Sequence, residues 1–199
     1  VRGQFADGNG LGRLRSNDTT AEIDSTIEGF TSDGFTLDGD NTGYNGNAAN
    51  YVAWNWKANG SGSSNTTGSI NSTVSANADA GFSIVSYTGT GSNATVGHGL
   101  AVAPEMVIVK RRNAANDWFV YNHTLGNTKV LYLDLTNAAE TYSTNWNNTT
   151  PTSSVFSIGT AGGVNTNTGT YIAYAFHSVD GYSKVGSYEG NASTDGTFV

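Results

Sequence analysis

Two short runs, YVAWNWK at residues 51–57 and YIAYAFH at residues 171–177, set apolar and aromatic residues into otherwise Gly-, Asn- and Thr-rich sequence. Alternation with period two marks a β-strand, with Val52, Trp54 and Trp56 on one face of the first run and Ile172, Tyr174 and Phe176 on the matching face of the second. Both sets are expected to be buried. The likeness extends upstream. Phe35 meets Phe156, Leu37 meets Ile158 and Tyr51 meets Tyr171, at offsets of 121, 121 and 120, so one loop residue accounts for the difference. A repeat this long suits a small β domain and not a solenoid.

Between the two runs the pattern is strand-like throughout. GFSIVSYTG from Gly81 sets Phe82 and Ile84 against Ser83, Val85 and Tyr87, and TVGHGL follows a GSN turn. The unbroken Met106–Val109 run predicts a strand covered on both faces. DWFVYNH returns after NAAND, and LYLDL from Leu131 predicts a strand with Leu131, Leu133 and Leu135 inward. Residues 136–146 read as a loop or one helical turn, and residues 21–30 fit neither period cleanly. Residues 58–80 are the least hydrophobic, with Ile70 and Val74 as the available anchors, and read as a linker or surface excursion. The closing GYSKVGSYEGN echoes GFSIVSYTG, with Val185 answering Val85.

These patterns predict an all-β chain of antiparallel β-sandwich modules in tandem, jelly-roll or concanavalin-like. The expected division is a closing half module at 1–57, a linker at 58–80, a complete module at 81–180 and the opening strand of another at 181–199. Half modules leave strand edges open, so the expectation is either a segment of a longer repetitive protein or strands supplied by neighbouring chains.

Composition supports a folded β chain. Disorder competes in a sequence with 26 Gly and 13% charged residues, but 8 Phe, 10 Tyr and 4 Trp are too many aromatics for it. The formal charge of −7, with Lys110, Arg111 and Arg112 as the one dense basic spot, argues against a nucleic-acid partner. Cysteine is absent, which excludes disulfides and thiolate metal sites. No run approaches the roughly 20 apolar residues of a membrane-spanning helix.

Candidate chemistry is sparse. His98, His123 and His177 have no second His or Cys at ligand spacing and read as turn or surface residues. Glu22, Asp24 and Glu28 would share one face of a strand, and paired carboxylates on a sandwich serve glycoside hydrolysis; the spacing is close to the ExDxE pattern of laminarinase-like hydrolases but one residue too long. A solvated acidic face is the plainer reading. Asp38, Asp40 and Asn41 offer hard oxygens to calcium, the one cofactor candidate, against an ordinary Asx-rich turn. Trp54 and Trp118 are expected inside. Trp146, with Tyr142, Asn145 and Asn147, is the candidate sugar-stacking surface. No catalytic triad, nucleophile elbow or phosphate loop is present.

The runs GFSIVSYTGTGSNATVGHGLAVAPEMVIVKRR, LYLDLTNAAE and YIAYAFHSVDGYSKVGSYEGN resemble the repeated module of virion structural proteins of marine tailed phages, cyanophages and pelagiphages among them. VRG at the start and the SN..AE of residues 16–22 extend the resemblance over nearly the whole chain. Such modules often accompany concanavalin-like or laminin-G-like ones. The resemblance implies a non-enzymatic fibre, tail or surface-decoration component on the virion surface. Its implied partners are further copies of itself, other virion proteins and host-surface polysaccharide, and it carries no catalytic residues across. A tailspike-like glycan depolymerase and a cellular surface adhesin are the rival expectations.

Overall fold

The structure is a computed structural model that describes residues 11–24, 27–37 and 42–196. In chain order it contains β1 (Gly12–Arg13), β2 (Ile23–Asp24), β3 (Ile27–Phe30), β4 (Phe35–Leu37), the one-turn helix α1 (Thr42–Asn45), β5 (Ser63–Asn65), β6 (Ser72–Asn77) and β7 (Phe82–Thr88). Then follow β8 (Ala94–Gly97), β9 (Met106–Arg111), β10 (Trp118–Asn122), β11 (Lys129–Tyr132), β12 (Glu140–Thr141), α2 (Ser143–Trp146), β13 (Val155–Ile158), α3 (Gly162–Asn165) and β14 (Thr170–Phe176). The fold is all-β. Eight strands make one antiparallel sheet in the order β12-β11-β10-β9-β14-β7-β6-β5. Three two-stranded ribbons, β1-β2, β3-β4 and β8-β13, complete the set among the described residues. No helix among them is long and apolar enough to cross a membrane.

The centre of the sheet is β14, paired with β7 over seven residues from Thr170↔Thr88 to Phe176↔Phe82 and with β9 on its other side. The core lies on the face that carries Val85, Tyr87, Val107, Val109, Tyr171, Ala173 and Ala175. Val96, Leu100, Phe156 and Ile158, from the β8-β13 ribbon and the loop after β8, belong to the same core cluster. Tyr87 stacks on Tyr171 with ring centroids 5.2 Å apart, and the Phe156 ring meets Tyr87 edge-on at 6.2 Å.

Several expectations are corrected. Ile172, Tyr174 and Phe176 lie on the sheet face opposite the core: Ile172 is buried and the other two half-buried. The gap between packed layers is fixed, so where Phe156, Ile158 and Leu100 fill it from one side, small Ala173 and Ala175 fill it from the other. Lys110 and Trp118 share the opposite face with Tyr174, and residues 15–22 cover them. The Trp118 indole N–H donates to the Arg15 carbonyl at 2.8 Å, and Lys110 Nζ donates to the carbonyls of Thr19 (3.0 Å) and Asn116 (2.7 Å).

The expected linker at 58–80 carries β5 and β6, at one edge of the main sheet, and both Ile70 and Val74 enter the core. Low hydrophobicity is what an edge strand with one solvated face requires. β11 ends at Tyr132, with Val130 buried and Leu133 and Leu135 exposed. The alternation of leucines there is out of phase with the core because β11 takes its register from β10, where Phe119 pairs with Tyr132. Residues 51–57 form no strand, and Trp54 is 76% exposed. Residues 184–190 likewise lie outside any strand.

Candidate functional site

The residues singled out for glycan binding do not converge on the surface. Trp146 is 2% exposed, its indole N–H donates to the Lys129 carbonyl at 3.0 Å, and its ring meets Tyr121 edge-on. Asn145 beside it is fully buried, with no partner for its amide among the described residues. α2 turns both inward, because Asn147 takes a left-handed conformation (φ 51°) that ends the helix and reverses the chain. Tyr142 and Asn147 remain exposed, without the indole that would complete a stacking platform.

Glu22 is also committed elsewhere. It forms a bidentate ion pair with the Arg112 guanidinium, both partners largely covered, and its backbone N–H donates to the Arg112 carbonyl at 2.8 Å. This pair ties residues 19–24 to the end of β9. Asp24 and Glu28 are exposed. Asp38, Asp40 and Asn41 lie outside the described residues. Among the described ones no group of three or more His, Asp or Glu side chains is placed to hold a metal.

The polar groups that are buried serve packing. Burial holds the Lys110 ammonium below its usual range, against the opposing pull of Asp134, Asp18 and Asp117. His98 is fully buried. Its Nδ1 accepts the Leu100 N–H at 3.2 Å, which leaves the proton on Nε2, donated to the Thr152 carbonyl at 3.0 Å. Burial, joined by the neighbouring His177, holds its pKa below the ordinary histidine value. Burial also acts against the charged Glu105 carboxylate, but donation from the Ser178 N–H and hydroxyl outweighs it and holds that carboxyl low.

The surface feature that stands apart is a ledge on residues 51–57. Val52 is 80%, Trp54 76% and Trp56 58% exposed, and the two indoles stack with centroids 6.4 Å apart. Beside the ledge lies a groove of about 330 Å³ whose apolar lining includes Phe30, Phe35, Leu37 and Tyr44. Isolated exposed apolar residues are ordinary, whereas a contiguous aromatic patch marks an interaction surface.

The local structure around this ledge copies the complete sheet. α1 and α3 coincide at an offset of 120 residues. Ala48 (φ 60°) and Thr168 (φ 62°) take the same left-handed conformation. Ala49 N–H donates to the Gly46 carbonyl as Gly169 N–H does to Thr166. The Tyr51 hydroxyl accepts the Gly46 N–H at 2.9 Å, as the Tyr171 hydroxyl accepts the Thr166 N–H at 2.7 Å. The chain therefore contains two copies of one helix-turn device. After one copy the chain forms the central strand of a sheet; after the other, residues 52–56 form no strand and are exposed.

This two-copy arrangement falls within the span of a recognised family. The model described as "Domain of unknown function (DUF7483)" matches residues 9–199. The chain belongs to that family. The matched span takes in both copies of the device, the 42–57 ledge and α3-β14 alike. No curated protein matches the chain, and no solved structure matches it.

Proposed function

We propose that this chain is a non-enzymatic structural protein, built of antiparallel β-sandwich modules in tandem, that assembles with further copies of itself as part of a virion fibre, tail or surface appendage. The observation that carries this reading is the ledge of Val52, Trp54 and Trp56, a contiguous exposed aromatic patch whose sequence copy, β14, has a neighbour on each side. An exposed patch of this kind is an assembly surface. The resemblance to phage virion modules supplies the setting, the particle surface, where adsorption to host polysaccharide belongs. Of the three carboxylates behind the hydrolase rival, Glu22 is paired with Arg112, while Asp24 and Glu28 are exposed.

Sedimentation velocity over a range of protein concentration tests this. The wild-type chain is expected to self-associate, and Trp54→Ser/Trp56→Ser to stay monomeric with an unchanged unfolding midpoint, since neither indole is in the core. A wild-type chain that remains monomeric at high concentration overturns the assembly reading.

A further inference from the structure

A cleft of about 610 Å³ opens between residues 13–18 and α1, and its lining includes Arg13, Arg15, Ser16, Asn17, Asp18 and Tyr44. The chain carries 9 Lys and Arg against 16 Asp and Glu, yet two guanidiniums meet one carboxylate here. A cleft of this size is in the range of small-ligand sites.

Arg13 lies in β1, whose pairing with β2 sets Gly12 opposite Asp24 and Arg13 opposite Ile23. Cross-strand partners share a face and successive residues alternate, so Glu22 and Asp24 stand on the face away from Arg13. The guanidinium carbon of Arg13 lies 5.3 Å from the centre of the Tyr44 ring, which holds its plane. Its Nε is buried without a hydrogen-bond partner, and among the described residues no carboxylate forms an ion pair with it. A fixed fork of N–H donors with no protein acceptor is a site for an external one. Asp18 does not fill that role: its carboxylate accepts the Thr20 N–H at 2.8 Å and a single bond from Arg15 at 3.4 Å.

The cleft is preformed. Residues 15–22 are tied to the main sheet by the Trp118 indole on the Arg15 carbonyl, by Lys110 on the Thr19 carbonyl and by the Glu22–Arg112 ion pair. Tyr44 also lines the apolar groove of about 330 Å³ with Phe30, Phe35 and Leu37, so the cationic cleft and the aromatic groove meet at one ring.

A ligand that carries an anionic group beside an apolar ring face matches this juxtaposition. Aromatic walls take the C–H face of a pyranose, and a guanidinium fork takes a planar carboxylate through two parallel bonds. We infer, resting on the host-polysaccharide part of the reading above, that the cleft binds the carboxylate of a uronic-acid polysaccharide. Arg13 is the bidentate donor, Arg15 and the exposed Ser16 and Asn17 side chains flank it, and the neighbouring sugar ring enters the groove beside Tyr44. A polyphosphate chain matches less well, because its dense charge meets a protein of formal charge −7. None of Val52, Trp54 and Trp56 lines the cleft, so Arg13 variants test sugar binding without altering the ledge.

Calorimetric titration of the whole chain with oligogalacturonate, a sulfated galactan oligosaccharide and a neutral β-glucan oligosaccharide, all without calcium, tests this. Oligogalacturonate is expected to bind, more weakly as salt is added, and the neutral sugar to give no heat. Arg13→Gln and Arg13→Lys are each expected to weaken binding at least about ten-fold, because lysine keeps the charge and loses the fork. Lys184→Gln, which removes one charge from an exposed position outside the cleft, is expected to bind as the wild type does. The unfolding midpoint is expected to stay in place in all three variants, since neither side chain is in the core. Full binding by Arg13→Lys, tighter binding of the sulfated galactan, or equal binding of the neutral sugar overturns the carboxylate assignment. A chain that self-associates but binds no oligogalacturonate overturns this inference and leaves the assembly reading standing. A chain that binds it while monomeric at every concentration supports this inference and removes the assembly reading.

Discussion

Tyr171 and Tyr51 offer one chemical change at two copies of the same device, one buried and one exposed. Tyr171 is fully buried, and its hydroxyl accepts the Thr166 N–H at 2.7 Å and donates to the Gly162 carbonyl at 2.7 Å. Tyr171→Phe leaves the Thr166 N–H without its acceptor. The Gly162 carbonyl keeps the Thr166 hydroxyl as a donor at 3.0 Å, so it loses only one of two partners. An orphaned buried donor costs about 1–3 kcal/mol and the second lost bond about 0.5–1, so the expected destabilisation is about 2–3 kcal/mol. Tyr51 is 48% exposed, so water replaces its hydrogen bonds and Tyr51→Phe is expected to cost under about 0.5 kcal/mol. Urea unfolding followed by tryptophan emission reads the difference, because Trp118 and Trp146 are buried in the sheet. With a slope of about 2 kcal/mol/M, Tyr171→Phe lowers the midpoint by about 1–1.5 M and Tyr51→Phe leaves it in place. Equal midpoints for the two variants would refute the claim that burial in the main sheet separates the copies.

Stability is expected to depend on pH through His98. Its folded pKa lies below the unfolded value, so the neutral form is the one the fold holds: stability is complete above about pH 6.5 and falls as pH drops through that value, by at most about 1.4 kcal/mol per unit. Urea midpoints at pH 7 and pH 5 should converge in His98→Gln and separate in the wild type; the Glu105 carboxyl, held low, contributes only below that window. Glu22→Gln breaks the ion pair with Arg112 and frees residues 11–24 from the sheet, so trypsin should cleave after Arg13 and Arg15 faster while the main sheet resists. Unchanged cleavage would show that the carbonyl contacts of Arg15 and Thr19 hold that segment without the ion pair.

The repeat that carries the device at 42–51 and 162–171 was legible as matched residues, although both turns read in sequence as loops; the device is local. Its turn, its left-handed residue and its tyrosine bond span five residues or fewer, so the same residues in the same spacing rebuild it in either setting. The candidate site was not legible for the opposite reason. Trp146 sits in a polar loop sequence that reads as surface, and only α2 folding back on β13 buries it. Trp54 sits in a strand pattern that reads as core, yet it is exposed and among the described residues no strand pairs beside it.

From its residues alone this chain determined an all-β fold, most of its strand positions and its internal repeat, since alternation and turn chemistry act over a few residues at a time. Tertiary structure decided which face of each strand is inside. Alternation presents two faces and does not say which one another layer will cover; in β14 that layer chose Tyr171, Ala173 and Ala175 over the bulkier Ile172, Tyr174 and Phe176. Tertiary structure also decided whether a strand exists at all. Tyr171–Phe176 is a strand because β7 and β9 flank it, whereas Val52–Trp56, with the same alternation, pairs with no strand among the described residues.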